Sequence, residues 1–252
     1  MNADGSNVRR LTRLGEYSRD PSWSPDYSRI VFDSGPKEED AAREIYVMNA
    51  DGSGIVRLTN NAVKDWDPSW SPDGSRIAYT SRLEGNWDIY SMNTYGGGRV
   101  NLTHRVGPDI NPCWSPDGTR IAFTSDYGGS DFEIWVMNAD GSGKTQLTYN
   151  SADDTDPSWS TDGTRIAFES DRDGDFDIWV MNADGSGARN LTNNSAPDGD
   201  PSWMLGAERI FFGSYLSGAP ELYVMNADGS GLTRLTYTAA QEAEACARPG
   251  CP

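Results

Sequence analysis

The residues with the clearest capacity for chemistry are carboxylates that recur at one place in a repeated pattern. An acidic or amide residue stands just before a Pro-Ser-Trp segment or its variant: Asp20, Asp67, Asn111, Asp156 and Asp200. Two residues earlier stand Asp65, Asp109, Asp154 and Asp198, with Ser18 in the first copy. A weaker copy near the C-terminus keeps the pattern as Glu242 and Glu244. Carboxylates gathered in one place raise each other's pKa unless a cation compensates them. Hard oxygen ligands of this kind suit Ca²⁺, which takes about six to eight of them in flexible geometry. The candidate ligand set is Asp67, Asp156 and Asp200, and a basic peptide is the organic alternative. The same residues also have a purely structural reading, as turn-capping side chains or as partners of an arginine that recurs in every copy.

Such a cluster needs elements that bring distant copies together, and a repeat does this. The tryptophan of the segment recurs at Trp23, Trp70, Trp114, Trp159 and Trp203, about 45 residues apart. A methionine keeps the same phase at Met48, Met92, Met137, Met181 and Met225, as does an arginine at Arg29, Arg76, Arg120, Arg165 and Arg209. Each unit reads as four short strands. The Asp-Pro-Ser-Trp-Ser segment is the first, and a Pro-Asp-Gly turn follows, in which Pro presets φ and Gly accepts φ > 0. Arg-Ile-Ala-Phe-Thr-Ser is the second strand, with alternating apolar positions such as Ile121 and Phe123. The third, Asp-Ile-Trp-Val-Met-Asn, is aromatic and β-branched, as strands prefer. An Asn-Ala-Asp-Gly-Ser-Gly turn leads to a short fourth strand ending in Leu-Thr.

A four-stranded unit cannot bury both sheet faces alone, whereas units packed radially cover one another. The reading is therefore an all-β propeller of four-stranded antiparallel blades in one domain over residues 1–252. Full repeats run over about 20–59, 67–103, 111–148, 156–192 and 200–236. The ends, 1–12 with 237–252, carry pieces of a rudimentary sixth blade: Met1 holds the phase of Met48, and Glu244 that of Asp156. Closure of this kind removes open sheet edges. In a propeller the first strand lines the central channel, so the acidic positions are expected at one channel mouth.

The repeat consensus, PSWSPDGxRIAFxS…DIWVMNADGSGxxxLT, resembles the repeats of TolB-like β-propellers over nearly the whole chain. The resemblance implies a six-bladed type, a protein-binding role and a periplasmic or secreted location. The residues given hold no counterpart of the N-terminal α/β domain that the resemblance implies for TolB, and a start at the repeat-internal Met1 reads as a truncated or misassigned start, before which a signal peptide or leading domain would stand. Related repeats also build propeller domains of prolyl oligopeptidase-type peptidases, so the propeller portion of such a hydrolase, or of a carbohydrate-active one, is the alternative function.

The remaining composition narrows the classes. A net charge of −17 repels phosphate backbones and anionic headgroups and favours cations or basic protein surfaces. No stretch approaches the roughly 20 apolar residues of a membrane span, and the N-terminus lacks the apolar core of a signal peptide. A single histidine, His104, has no evident partner for a nucleophilic triad. No Gly-x-Ser-x-Gly elbow, His-Glu-x-x-His or phosphate-binding loop occurs. Oligogalacturonate lyases, which share similar repeats, resemble metal sites rich in histidine that one His cannot build. The chain is therefore read as a non-catalytic, monomeric scaffold for a protein or basic peptide. Of three cysteines, Cys246 and Cys251 are spaced for a small disulfide. The loops at 125–133 and 170–177 read as solvated hairpin connections. The repeated tryptophans are expected between blades, the repeated arginines in ion pairs, and the off-repeat Trp66 and Trp87 in exposed contacts.

Overall fold

The computed structural model describes residues 1, 5–12, 17–36, 43–204, 206 and 208–237. Among them are five antiparallel four-stranded sheets, each formed by strands consecutive in the chain. The first blade is β1 (Tyr17–Trp23), β2 (Arg29–Gly35), β3 (Glu44–Asn49) and β4 (Val56–Arg57). The second is β5 (Asp65–Trp70), β6 (Arg76–Ser81), β7 (Asp88–Asn93) and β8 (Val100–Asn101). The third is β9 (Asp109–Trp114), β10 (Arg120–Ser125), β11 (Glu133–Asn138) and β12 (Thr145–Gln146). The fourth is β13 (Asp154–Trp159), β14 (Arg165–Ser170), β15 (Asp177–Asn182) and β16 (Arg189–Asn190). The fifth is β17 (Asp198–Trp203), β18 (Arg209–Ser214), β19 (Glu221–Asn226) and β20 (Thr233–Arg234). No helix long and apolar enough to cross a membrane occurs among the described residues.

The first strands of consecutive blades pack together from β1 to β17, which is the radial arrangement of a propeller. The tryptophan of each first strand completes the core of the preceding blade. Trp70 lies with Val31, Ile45 and Val47, and Trp114 with Ala78 and Ile89. Trp159 lies with Ala122, Ile134 and Val136, and Trp203 with Ala167, Ile178 and Val180. These four rings are almost fully buried, at 0–3% exposure, whereas Trp23 is half-buried. The repeated arginines close over the same rings. Arg29 stacks on Trp70 at 5.1 Å, Arg120 on Trp159 at 4.6 Å and Arg165 on Trp203 at 4.8 Å. These arginines thus serve in cation–π packing across the blade interface, and Arg165 also makes the expected ion pair, with Glu208.

The turn between third and fourth strands makes a second inter-blade contact. Gly141, at φ +86°, lies so close to the preceding blade that a Cβ would stand 2.5 Å from the Leu102 carbonyl oxygen. Only glycine tolerates both the left-handed backbone and this approach. The contact recurs around the molecule: Gly96 meets Leu58, Gly185 meets Leu147, and Gly229 meets Leu191. The N-terminal segment takes part at both its ends, for Gly5 meets Leu235 of the fifth blade and Leu11 is met by Gly52 of the first. The expected contribution of 237–252 to a sixth blade lies, except for Tyr237, outside the described residues.

Replacing Trp159 with alanine empties a fully enclosed inter-blade position and is expected to cost about 3–5 kcal/mol. Trp23→Ala is expected to cost clearly less, because that ring is half-exposed. Urea denaturation of the two variants checks the order, and equal losses would contradict the packing described.

Candidate functional site

Every first strand carries a β-bulge, and its register shift brackets the acidic position. Asp20, Asp67, Asn111, Asp156 and Asp200 all have left-handed backbones, with φ of 47°, 48°, 54°, 52° and 55°. Aspartate and asparagine are the non-glycine residues that best tolerate this conformation. The local reason for Asp or Asn here is therefore the bulge itself, which also re-aims the side chain. In the third, fourth and fifth blades the backbone N–H of the bulged residue is held by the second strand of the preceding blade. Asn111 donates to Thr80 Oγ1 at 3.2 Å, Asp156 to Thr124 Oγ1 at 3.2 Å, and Asp200 to Glu169.

Two outcomes follow for the ring. The Asn111 side-chain amide donates to Asp67 Oδ2 at 2.9 Å and to Asp156 Oδ1 at 2.7 Å, so one amide ties the acids of the flanking blades. Asp156, Glu169 and Asp200 bring one carboxylate oxygen each to within 4.8 Å of one another, all half-buried. Of the expected cation ligands, Asp156 and Asp200 thus converge, while Asp67 joins them through Asn111. Glu169 belongs to this group and was missed by a reading confined to the first strand. Its signal lay in the second strand, where the equivalent positions are Asp33, Thr80, Thr124 and Gly213. On the first blade Asp20 faces Asp33. Burial, with Asp20 beside it, holds the Asp33 carboxyl well above the usual range, although Arg43 Nη1 lies 3.6 Å away.

The second acidic series does not join this cluster. Asp65, Asp109, Asp154 and Asp198 are buried inside their blades at 0–1% exposure. Asp65 accepts from Ser81 Oγ at 2.5 Å and Asn61 Nδ2 at 2.7 Å, and Asp198 accepts from Asn194 Nδ2 at 2.7 Å. Asp154 receives both oxygens' bonds from Arg172 Nη2, at 2.8 and 2.7 Å, and another from Asn150. The 170–177 loop therefore reaches into its blade through Arg172, which also stacks on Trp179 at 4.2 Å, and is more than a solvated connection. Burial pushes Asp109 up to about 6, against the hydroxyls of Ser125 and Thr103 and the charge of Arg105. Ser18 makes a hydroxyl contact with Ser34 at 3.1 Å. Glu242 and Glu244 lie outside the described residues.

Trp66 and Trp87, expected in exposed contacts, are instead half-buried and lie against each other at 5.6 Å, with Lys64 Nζ 4.7 Å above Trp66. His104 Nδ1 lies 3.7 Å from Glu84 on exposed surface. Cys113 is disulfide-bonded; Cys246 and Cys251, the pair spaced for a small disulfide, lie outside the described residues.

Comparison with known proteins fits this fold. The TolB beta propeller domain model matches residues 36–108 and 99–186, together more than half of the chain. Among solved structures, putative TolB from Agrobacterium tumefaciens superposes with a TM-score of 0.78 at 25% identity, covering 90% of this chain and 83% of that one. TolB from Acinetobacter baumannii gives 0.76 at 20% identity, covering 92% of this chain and 57% of that one. The tricorn protease gives 0.72 at 18% identity, covering 94% of this chain but 24% of that one. Comparison with curated proteins returns no match.

The carboxyl groups predict an unusual pH profile. Asp109, raised from 3.8 to about 6, is easier to protonate in the fold, so its protonation stabilises the protein as pH falls through 6 toward 4. Asp26 and Asp162 are lowered to about 2, first by the hydroxyls of Ser24 and Ser160, so stability they contribute is lost as pH falls from 3.8 toward 2. The melting temperature is expected to peak at about pH 4–5. In Asp109→Asn the rise between pH 7 and 4 is expected to shrink; a variant with the wild-type slope would show that Asp109 does not produce it.

Proposed function

This chain belongs to the TolB beta propeller domain family, and we propose that it is a non-catalytic binding scaffold whose acidic channel mouth receives a basic segment of a protein partner. The observation that carries the reading is the convergence of Asp156, Glu169 and Asp200, with Asp67 joined through Asn111. Gathered carboxylates favour a cation placed among them, and the net charge of −17 adds a long-range attraction for basic surfaces. Ca²⁺ is the inorganic ion these oxygens suit. On this reading the segment holding Gly5 and Leu11, together with the stretch after Thr236, stands in the sixth blade position, and the protein works in the periplasm or outside the cell.

A second reading makes the chain the propeller portion of a larger hydrolase. It draws support from the tricorn protease and from a puromycin hydrolase, of whose chain the match covers 38% at a TM-score of 0.65.

The first reading is tested with hexalysine in calorimetric titrations. The double variant Asp156→Asn/Asp200→Asn suits the purpose, because Asn111 shows that asparagine holds the bulge. Saturable binding that weakens with salt, and weakens at least about tenfold in the double variant, is expected. In parallel, millimolar Ca²⁺ is expected to raise the wild-type melting temperature and not that of the variant. Hexalysine binding equal in both proteins would sink the proposal for this mouth.

A further inference from the structure

The five blades repeat one more acidic position, at the start of the third strand: Glu44, Asp88, Glu133, Asp177 and Glu221, all buried at 1–5% exposure. Each faces the second residue of its own blade's fourth strand, and the pair changes in a concerted way. Where the acid is aspartate the partner is asparagine. Asn101 Nδ2 donates to Asp88 at 2.9 Å and Asn190 Nδ2 to Asp177 at 2.8 Å. Where the acid is glutamate, in the first and fifth blades, the partner is arginine. Arg57 Nη2 donates to Glu44 Oε1 at 2.6 Å, and Arg234 Nη2 to Glu221 Oε1 at 2.6 Å. In both, the arginine Nε also donates to a threonine carbonyl, Thr59 at 2.8 Å and Thr236 at 2.6 Å. Arg234 also stacks on Tyr237, 4.6 Å from its ring centre.

The third blade breaks the rule. It has the longer acid, Glu133, but Gln146 in place of arginine. Gln146 Nε2 keeps the carbonyl bond, to Thr148 at 2.8 Å, and makes no hydrogen bond to Glu133. The ring equivalent to Tyr237 is kept as Tyr149, whose hydroxyl donates to the Gln146 carbonyl at 2.9 Å as Tyr237 donates to that of Arg234 at 3.3 Å. What is missing is the guanidinium, and a cavity of about 310 Å³ lies at this place, lined among others by Tyr127, Asp131, Glu133, Trp135, Gln146 and Tyr149. The 125–133 loop, expected to be a solvated connection, forms one wall of it. Arg105 lies over Tyr127 and Trp135, at 4.2 and 4.6 Å, but does not line the cavity and forms no ion pair with Glu133. Burial, with Asp154 beside it, pushes Glu133 up to about 7, as expected of a buried carboxyl without a cation.

We propose that this cavity is a receptor for a guanidinium group, carried by an arginine side chain of a partner protein and seated between Glu133 and Tyr149 as Arg234 is seated between Glu221 and Tyr237. The occupant is identified by the sister blades: in the first and fifth the same acid and carbonyl already hold a guanidinium from within the chain, and in the fifth the equivalent ring lies against it as well. A planar guanidinium pairs with a carboxylate while lying on an aromatic face, which a lysine ammonium does not reproduce. The cavity is built by the end of β10, by β11, by β12 and by their loops, apart from the bulged first-strand residues, so the inference does not depend on the channel mouth.

The test uses the whole chain, with agmatine as a free guanidinium, glycyl-arginyl-glycinamide as an arginine within a peptide, and n-butylamine as an ammonium control, each titrated calorimetrically. Agmatine and the peptide are expected to saturate one site, with n-butylamine several-fold weaker. Glu133→Gln should weaken both guanidinium ligands at least about tenfold, the loss typical when one member of a charged pair is removed. Gln146→Arg should abolish their binding while raising the melting temperature, because it rebuilds the ion pair of the first and fifth blades. Asp140→Asn, which removes an exposed turn carboxylate that belongs to neither site, should leave agmatine binding unchanged. The proposal is overturned by absence of saturable agmatine binding, by equal affinity for n-butylamine, or by wild-type binding in a folded Gln146→Arg protein. Binding of agmatine without binding of the peptide overturns the partner arginine in favour of a small guanidine.

Discussion

A sheet of four short strands has two faces and too few residues to cover either, so no blade of this protein can stand alone. The interaction that resolves this is the burial of one blade's first-strand tryptophan in the core of the blade before it. Trp70, Trp114, Trp159 and Trp203 each sit among the second and third strands of a neighbour. Everything else in the repeat serves that placement. The arginine beginning the second strand covers the ring from the solvent side at three of the interfaces. The glycine of the third turn lets the neighbouring backbone come close enough for the ring to be enclosed. Trp23, with no full blade described before it, is correspondingly less buried.

The bulge is the second device, and it links packing to chemistry. The register shift in each first strand lets the tryptophan side face the neighbour while the preceding Asp or Asn adopts a left-handed backbone. Because in the third, fourth and fifth blades its N–H is anchored on the previous blade, the position of this residue is set there by the blade interface and not by its own sheet. This explains why residues about 45 positions apart in sequence lie within hydrogen-bonding distance, as Asp67, Asn111 and Asp156 do. The site is thus a product of repetition. The departures from repetition make it uneven: asparagine in the third copy, Glu169 beneath the fourth and fifth.

Departures from the repeat also mark the cavity of the third blade. The acid at the head of the third strand and the residue opposite it vary together in four blades, glutamate with arginine and aspartate with asparagine. The pairing rule is chemical: the longer acid meets a cation with a long reach, and the shorter one meets an amide that fits the gap. Glu133 with Gln146 obeys neither half, and a cavity lies there.

The fold was almost wholly legible in the sequence, because turn residues, alternating apolar positions and a long in-phase motif are all local or periodic. The four strands of each unit, the propeller and the inter-blade place of the tryptophans follow from them. Two things were not legible, for a common reason. The two acids of each first strand are two residues apart, which in a regular strand puts both on one face; the bulge between them is a backbone event, and with it Asp67 meets Asn111 of the next blade while Asp65 bonds to Ser81 and Asn61. The convergence of Glu169 with Asp156 and Asp200, and the cavity at Glu133, join residues from different strands and different blades. Periodicity determined what each unit is, and the angle and closeness of neighbouring units, which only the tertiary structure decides, determined which carboxylates meet.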